Sequence, residues 1–345
     1  MRKSVDSSVR RLPNCKPGDE IRLATAAAMT NRRDTIGLMV VLSRALLVVV
    51  LVAATIGSAA PQIVRDPRTL KSGVDLVMVT ATVVDSEGHL TSGLTQDAFA
   101  IWEDGVEQSI SAFTNERVPV GLGVLLDVSD SMFGQRIAEA RAAVERFLFT
   151  ELDPSDEFFL TAFNHTPRTL TAWTNTPSVV SDALAAIRPS GGTAIYDAVV
   201  SAMPQIERRN RQRAALLIIS DGADTASDAS LRDVRSALLR SDAFVYAIAI
   251  DSPKDYAINR QVNPAALTEI TSQSGGRTEV VRDAQGLQDA TDRIADELNH
   301  QYVLGYSSTK STDGKFHSIR VAMKDPHMRV RARNGYVGTP VQRWR

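Results

Sequence analysis

Long apolar runs that alternate with segments of helical spacing place the strongest constraint on the fold of this chain. Residues 120–126, 214–219 and 244–250 are almost uninterrupted apolar stretches, as expected for strands buried on both faces of a parallel sheet. Between the last two, residues 231–239 carry apolar side chains at helical spacing. Strands that alternate with helices favour a doubly wound, mostly parallel sheet covered by helices. We therefore predict an α/β domain of this type over residues 117–300.

The segments on either side of this domain have β character. Residues 72–116 contain an alternating run of apolar and polar side chains, which is the period of a strand. Within them, Asp104-Gly105 and the following residues 106–113 predict a hairpin with a two-residue turn. Residues 301–345 return to the same alternation. Since neither segment is large enough to stand alone, we predict that both form one small β-sandwich into which the α/β domain is inserted.

The N-terminal region is typical of an exported protein. Residues 45–56 are an uninterrupted apolar run that follows arginines and precedes small residues, as in a secretory signal. We predict a leader at 1–35, with Met29 as the alternative start, then a signal peptide or retained anchor at 36–60 and a linker at 61–71. The run is short for a membrane span, which needs about 20 apolar residues. The expected location is periplasmic or extracellular, and a membrane anchor facing outside is the alternative.

Charge and cysteine content limit the classes of partner. The 345-residue chain is 43% hydrophobic and has a formal net charge of −1. Nucleic-acid-binding domains are usually basic, so we expect no nucleic-acid partner. The single cysteine, Cys15, lies in the predicted leader, so no disulfide is expected in the exported chain.

Five oxygen-bearing side chains occupy positions suited to a hard cation. Asp127, Ser129 and Ser131 follow the first apolar strand, Thr193 precedes a helix, and Asp221 follows the next central strand. Because open α/β sheets bind ligands at the carboxyl ends of their strands, we expect these side chains at one rim. Carboxylates and hydroxyls without Cys or His favour Mg²⁺, Mn²⁺ or Ca²⁺ over Zn²⁺. The sequence therefore predicts a divalent cation site, with Mg²⁺ as the first choice.

The same residues have a second interpretation as local caps. Serine and threonine often cap helix N-termini, and aspartate often ends a strand. However, two aspartates that face each other at one rim would repel and raise a pKa unless a cation lay between them. Their joint placement therefore favours the metal site.

Three sequence stretches resemble the von Willebrand factor type A domain. They are Asp-Val-Ser-Asp-Ser-Met from Asp127, Gly-Gly-Thr-Ala-Ile-Tyr-Asp-Ala around Thr193, and Ser-Asp-Gly-Ala-Asp-Thr around Asp221. The resemblance covers about residues 118–300, and all five oxygen-bearing residues match the metal-ion-dependent adhesion site of that family. The flanking segments resemble an exported bacterial subgroup, through Gly-Leu-Thr near residue 93 and Ala-Arg-Asn-Gly-Tyr near residue 332.

The resemblance implies a role for each matched residue. Ser129 and Ser131 would contact the cation directly, Thr193 directly or through water, and Asp127 and Asp221 mainly through water. One coordination position would stay open for a carboxylate of a partner protein. A cation held by few direct protein charges stays electrophilic, so the site would bind a partner and would not catalyse a reaction.

Several neighbouring residues bear on this interpretation. Asp130 stands where the family often has glycine, and its charge would either weaken attraction for an acidic partner or point outward. His165 follows a strand that should end at the same rim, although an exposed hairpin position is the simpler expectation. Asp224 is expected either near the metal or as a local cap. A basic strand face is formed by Arg329, Arg331 and Arg333. It is expected either to contact an anionic polymer or to protect a sheet edge against aggregation.

Three functions remain open at this point. The resemblance implies a binding or adhesion protein that engages an acidic side chain of a partner protein through the cation. A metal-dependent hydrolase of phosphates or esters is the second possibility, with His165 as its only nearby candidate base. The third is an envelope scaffold in which the metal contributes only stability.

Overall fold

The computed structural model describes residues 75–339 except 210, 212, 222 and 252–263. The predicted leader, signal segment or anchor and linker, together with the single cysteine, lie outside the described residues. Among the helices of the described part, none is both long and apolar enough to cross a membrane.

The described secondary structure follows the predicted alternation. The strands are β1 (Asp75–Val84), β2 (Phe99–Glu103), β3 (Val106–Gln108), β4 (Ile110–Thr114), β5 (Val120–Asp127), β6 (Glu157–Phe163), β7 (Pro167–Thr174), β8 (Arg213–Ser220), β9 (Phe244–Ile250), β10 (Thr278–Val281), β11 (Tyr302–Ser308), β12 (Phe316–Met323), β13 (Arg329–Ala332) and β14 (Gly335–Val337). The helices are α1 (Gln135–Arg146), α2 (Pro177–Ala186), α3 (Ile195–Glu207), α4 (Leu231–Leu238), α5 (Pro264–Ser274) and α6 (Ala284–Asn299). A π-helical turn, Phe147–Glu151, follows α1.

A six-stranded sheet forms the centre of the α/β domain. Its order is β10-β9-β8-β5-β6-β7. Every pairing is parallel except that of β7, which runs antiparallel to β6 at one edge. The apolar strands β5, β8 and β9 are buried along their whole length. The predicted fold class, a doubly wound and mostly parallel sheet with a small flanking β-sandwich, is confirmed.

Helices cover both faces of this sheet because each has one apolar side. One hydrophobic cluster combines inward side chains of α1, α2 and α6 with one face of the sheet. A second cluster combines α3, α4 and α5 with the opposite face. The central strands are therefore shielded from water on both sides, and their exposed chemistry is confined to their ends.

The flanking segments form two four-stranded antiparallel sheets. Their orders are β13-β1-β11-β4 and β14-β12-β2-β3, and the apolar side chains of both enclose a common core. The turn between β2 and β3 has positive φ at Asp104 (49°) and Gly105 (81°), as a two-residue hairpin turn requires.

One prediction in this region is wrong. Residues 106–113 do not form a single returning strand, because β3 pairs with β2 whereas β4 pairs with β11 in the other sheet. The chain changes sheets at Ser109, between the two strands. This break lets the short β3 remain at an edge, where Val106 is 62% exposed, while Phe113 reaches the common core.

Two short connectors join the α/β domain to the sandwich. The first links β4 to β5, and the second links α6 to β11. Arg213, buried at the start of β8, donates hydrogen bonds to the carbonyls of Val118 and Leu298, each at 2.8 Å. Both connectors therefore lie at the amino ends of the parallel strands. The carboxyl ends of those strands form the opposite edge of the sheet.

Candidate metal centre

The two aspartates of the predicted site are brought together by neighbouring strands. Asp127 is the last residue of β5 and Asp221 follows β8 directly. These strands pair in parallel, with Leu126 opposite Ile219, so both carboxylates emerge at the same rim. The hydroxyl of Ser220 donates to Oδ2 of Asp127 at 2.5 Å.

The serines after β5 connect one aspartate to the other. Oδ1 of Asp127 accepts a hydrogen bond from the backbone N–H of Ser129 at 2.8 Å. The Oγ atoms of Ser129 and Ser131 lie 3.0 Å apart. The Ser131 hydroxyl donates to Oδ1 of Asp221 at 2.6 Å. Four of the five predicted residues thus form one continuous polar cluster.

Backbone hydrogen bonds attach the Thr193 loop to this cluster. The N–H of Asp130 donates to the carbonyl of Gly191 at 2.9 Å, and the N–H of Ser190 donates to the carbonyl of Val128 at 2.8 Å. Thr193 itself is buried, at 3% exposure. The loop after β5 and the loop before α3 are therefore held side by side.

Thr193 is also fastened to the segment that follows Asp221. Its N–H donates to Oγ1 of Thr225 at 3.1 Å, and its carbonyl accepts the N–H groups of Thr225 and Ala226 at 2.8 and 3.1 Å. All three predicted loops consequently meet at one rim, as the sequence predicts for their positions.

Burial changes the acidity of Asp127. The side chain lies out of contact with water, which raises the pKa of Asp127 to about 7 despite the hydrogen bonds from Ser220 and Ser129. The negative charge of Asp221 adds a smaller upward contribution. Repulsion between the aspartates is therefore present, as the sequence suggests, but burial is the larger cause. A nearby positive charge would favour the ionised carboxylate.

Arg136 is a member of the site that sequence reasoning missed. Its Nη1 atom lies 2.6 Å from Oδ2 of Asp221 and 2.7 Å from the carbonyl oxygen of Ser131. The arginine is 85 residues from Asp221 in sequence, and no spacing rule links the two positions. Its place in the first turn of α1 was the one available signal, because a cation is unfavourable there.

His165 lies beside the site, on the loop between β6 and β7. A Cβ atom added to Gly191 would meet Nδ1 of His165 at 2.7 Å, so the imidazole covers this glycine. The side chain is nevertheless exposed. Both expectations for His165 hold, since it is a solvent-facing hairpin residue and it lies against the Thr193 loop.

Other singled-out residues have structural contacts. Asp224 accepts the N–H of Tyr196 at 2.9 Å, so it caps the first turn of α3. Asp130 is exposed and points outward. In the basic strand β13, Arg331 pairs with the buried Glu297 at 2.7 Å. The structure thus gives Asp224 the cap role and places β13 at a sheet edge.

The donor set fits a small hard cation. It consists of carboxylate and hydroxyl oxygens only, and consecutive oxygens of Ser129, Ser131 and Asp221 are separated by 3.0 and 2.6 Å. Adjacent oxygens around an octahedral Mg²⁺, bound at about 2.1 Å, lie about 3 Å apart. The oxygens of these three residues therefore have a chemistry and spacing that are compatible with the predicted cation.

Comparisons with known proteins identify the central domain. Residues 122–223 match the family model of the von Willebrand factor type A domain. Among solved structures, the chain is similar to the conserved hypothetical protein BatB from Bacteroides thetaiotaomicron, with 20% identity, 52% of this chain and 98% of that chain covered, and a TM-score of 0.44. It is also similar to a von Willebrand factor type A protein from Catenulispora acidiphila, with 11% identity, coverage of 77% and 74%, and a TM-score of 0.46.

A third similar structure is the vWF domain of the type V pili tip protein Mfa5 from Porphyromonas gingivalis, with 14% identity, 53% of this chain and 96% of that chain covered, and a TM-score of 0.41. No curated protein matches the chain. The family match covers the strands and loops that carry Asp127, Thr193 and Asp221. Residues 122–223, within the central α/β domain, therefore match the von Willebrand factor type A domain.

Proposed function

We propose that this chain is an exported binding protein that engages a partner protein through a divalent cation. The cation, with Mg²⁺ ahead of Mn²⁺ and Ca²⁺, would be held by Asp127, Ser129, Ser131, Thr193 and Asp221. The observation that carries this proposal is the cluster of oxygens from Asp127, Ser129, Ser131 and Asp221 at the carboxyl rim. Backbone hydrogen bonds hold the Thr193 loop beside this cluster. An acidic side chain of the partner would complete the coordination.

The chemistry of the rim supports binding more than turnover. When bound, the cation would supply an electrophilic centre for a carboxylate oxygen. The residues of this chain would hold and orient it, since the hydroxyls of Ser129 and Ser131 face each other and both aspartates are fixed by hydrogen bonds. Asp130 is exposed and lies outside the buried cluster. Its charge would therefore be screened by solvent more strongly than those of the two buried aspartates.

Export is part of the proposal because of the N-terminal sequence. The apolar run at residues 45–56 has the length and flanks of a secretory signal. If this run were retained as an anchor, the rim would still lie outside the membrane, in the compartment that the cleaved chain would reach. Fractionation of cells that express the tagged full-length chain, with protease accessibility of the tag, distinguishes cleavage from anchoring.

The central experiment is a pull-down from an envelope extract with the full-length chain. It is run with Mg²⁺, with a chelator, and with Asp127→Ala, and the exposed Asp289→Ala on α6 serves as the charge-matched control. We expect a partner that is retained by the wild type and by Asp289→Ala only in Mg²⁺, and that is lost with Asp127→Ala. Equal recovery under all conditions would refute cation-dependent binding and would favour the scaffold alternative.

A metal-dependent hydrolase is a second candidate because His165 lies against Gly191, two residues before Thr193. Its exposed imidazole could take a proton from a water molecule near the rim. Turnover of p-nitrophenyl phosphate and p-nitrophenyl acetate is the test. Activity that depends on Mg²⁺ and is lost in both Asp127→Ala and His165→Ala would favour the hydrolase. Activity that is absent, or unchanged in the variants, would exclude these two residues from catalysis.

A further inference from the structure

Arg136 occupies a position where a cation is intrinsically unfavourable. It is the second residue of α1, whose first turn contains no acidic residue and whose N-cap, Gly134, provides no side-chain cap. The N-terminus of a helix carries a partial positive charge that disfavours an arginine. The side chain is nevertheless only 19% exposed. A compensating attraction must therefore hold it in place.

That attraction comes from two residues of the candidate cation site. A single guanidinium nitrogen, Nη1, lies 2.6 Å from Oδ2 of Asp221 and 2.7 Å from the carbonyl oxygen of Ser131. Oδ1 of the same carboxylate accepts the Ser131 hydroxyl at 2.6 Å. The Asp221 side chain is fully buried, so its charge is neutralised from within the protein by Arg136.

The charge balance of the rim follows from these contacts. The two buried aspartates contribute two negative charges and Arg136 contributes one positive charge. A divalent ion would then leave the cluster with one surplus positive charge. With a neutral residue at position 136, the loaded cluster would have no surplus. The guanidinium thus has opposite effects on a cation and on an acidic group that approaches from outside.

We propose that Arg136 and the divalent cation compete for Asp221. The guanidinium lowers the affinity for the cation, and it leaves the loaded rim positively charged and therefore attractive to a carboxylate. This inference rests on the proposed function of the site. It makes Arg136 a positioning and charge-setting residue that no matched motif of the domain contains.

Calorimetric titration of Mn²⁺ and Mg²⁺ into the full-length chain tests the competition. The variants are Arg136→Gln, Arg136→Lys, Asp127→Ala, and Arg240→Gln as an exposed charge control beyond the far end of α4. We expect Arg136→Gln to bind the cation about tenfold more tightly than the wild type, since one repulsive charge near a divalent ion is removed. Arg136→Lys and Arg240→Gln should stay within about twofold of the wild type, because the local charge at the rim is kept.

If the wild type bound the cation and Arg136→Gln bound it equally or more weakly, the competition would be refuted and the proposed function would stand. If Arg136→Gln bound the cation and the wild type did not, the competition would be supported in its strongest form, in which Arg136 blocks the site. No heat in any variant together with no Mg²⁺-dependent rise in melting temperature, or unchanged binding by Asp127→Ala, would refute the cation site and this inference with it.

Thermal unfolding supplies a second readout that does not depend on a partner. In chelator, Arg136→Gln should melt below the wild type, because the buried Asp221 loses its positive partner. Saturating Mg²⁺ should then raise the melting temperature of Arg136→Gln by more than it raises that of the wild type. An equal rise in both proteins would contradict the competition, whether or not the variant is less stable.

Discussion

Substitution of Gly191 by alanine tests how tightly the Thr193 loop is held. Gly191 has a φ of +80°, and an added Cβ would lie 2.7 Å from Nδ1 of His165. The left-handed conformation costs an alanine about 1 kcal/mol, and displacement of the imidazole costs about another 1 kcal/mol. We therefore expect Gly191→Ala to lower the free energy of unfolding by about 2 kcal/mol.

Gly93 offers a matched control for the backbone contribution. It has a φ of +76°, and an added Cβ would meet nothing within 4 Å. Gly93→Ala should therefore cost about 1 kcal/mol, the conformational part alone. The double variant Gly191→Ala/His165→Ala, measured against His165→Ala, should also cost only about 1 kcal/mol because the contact is gone.

Urea unfolding in chelator, followed by circular dichroism, measures these differences. The Gly191 substitution should also weaken Mn²⁺ binding, because the Gly191 carbonyl accepts the N–H of Asp130 and so ties the Thr193 loop to the serine loop. If Gly191→Ala cost no more than Gly93→Ala, or if removal of His165 recovered nothing, the imidazole would not pack on Gly191 as the structure shows.

Two further predictions concern the rest of the fold. His317 lies between Asp104 and Asp313, at 2.8 and 3.0 Å, and these carboxylates raise its pKa although burial acts against them. Its contribution to stability should be complete below the unfolded pKa of about 6.5 and should be lost as pH rises through the raised pKa of the folded state. The melting temperature of His317→Gln should therefore depend less on pH across that range than the melting temperature of the wild type. At Gly276, an added Cβ would lie 1.9 Å from the carbonyl oxygen of Val245. Because the backbone must move, Gly276→Ala should lower the free energy of unfolding, measured by urea unfolding, by about 3 kcal/mol. A loss below about 1 kcal/mol would contradict this packing.

The sequence predicted the central domain well because its signals are local and strong. Parallel strands that are buried on both faces appear as continuous apolar runs, so β8 at Arg213–Ser220 and β9 at Phe244–Ile250 were evident. The convergence of Asp127 and Asp221 followed from one geometric rule, that the carboxyl ends of adjacent parallel strands share an edge. The assignment of these residues to a metal remains a prediction.

Elements with weak periodicity escaped prediction. Helix α2 buries only Val180 and Leu184, which is too few apolar positions to show a helical repeat among small residues. Strand β14 has three residues, too short for any alternation. The change of sheets at Ser109 depends on which distant strand completes each ladder, and residues 106–113 alone contain no trace of it.

The contacts of Arg136 and His165 could not be predicted for a different reason. Each contact joins residues from separate segments of the chain, and its geometry depends on the completed fold. Arg136 reaches Asp221 across 85 residues, and His165 covers a glycine whose missing side chain leaves no positive signal. Sequence patterns indicate which residues share a rim. They do not indicate which of them touch.

The position of the two connectors has a mechanical consequence. The sandwich joins the α/β domain at the amino ends of the parallel strands, whereas the Asp127 loop lies at their carboxyl ends. The eight residues of β5 span the distance between them, about 25 Å. A force that pulls on this loop and is resisted at the first connector would run along β5, which is hydrogen-bonded to β6 on one side and β8 on the other. Because β5 is already extended, its covalent backbone would carry this load directly, so tension at the rim would reach the sandwich without breaking the ladders to β6 and β8.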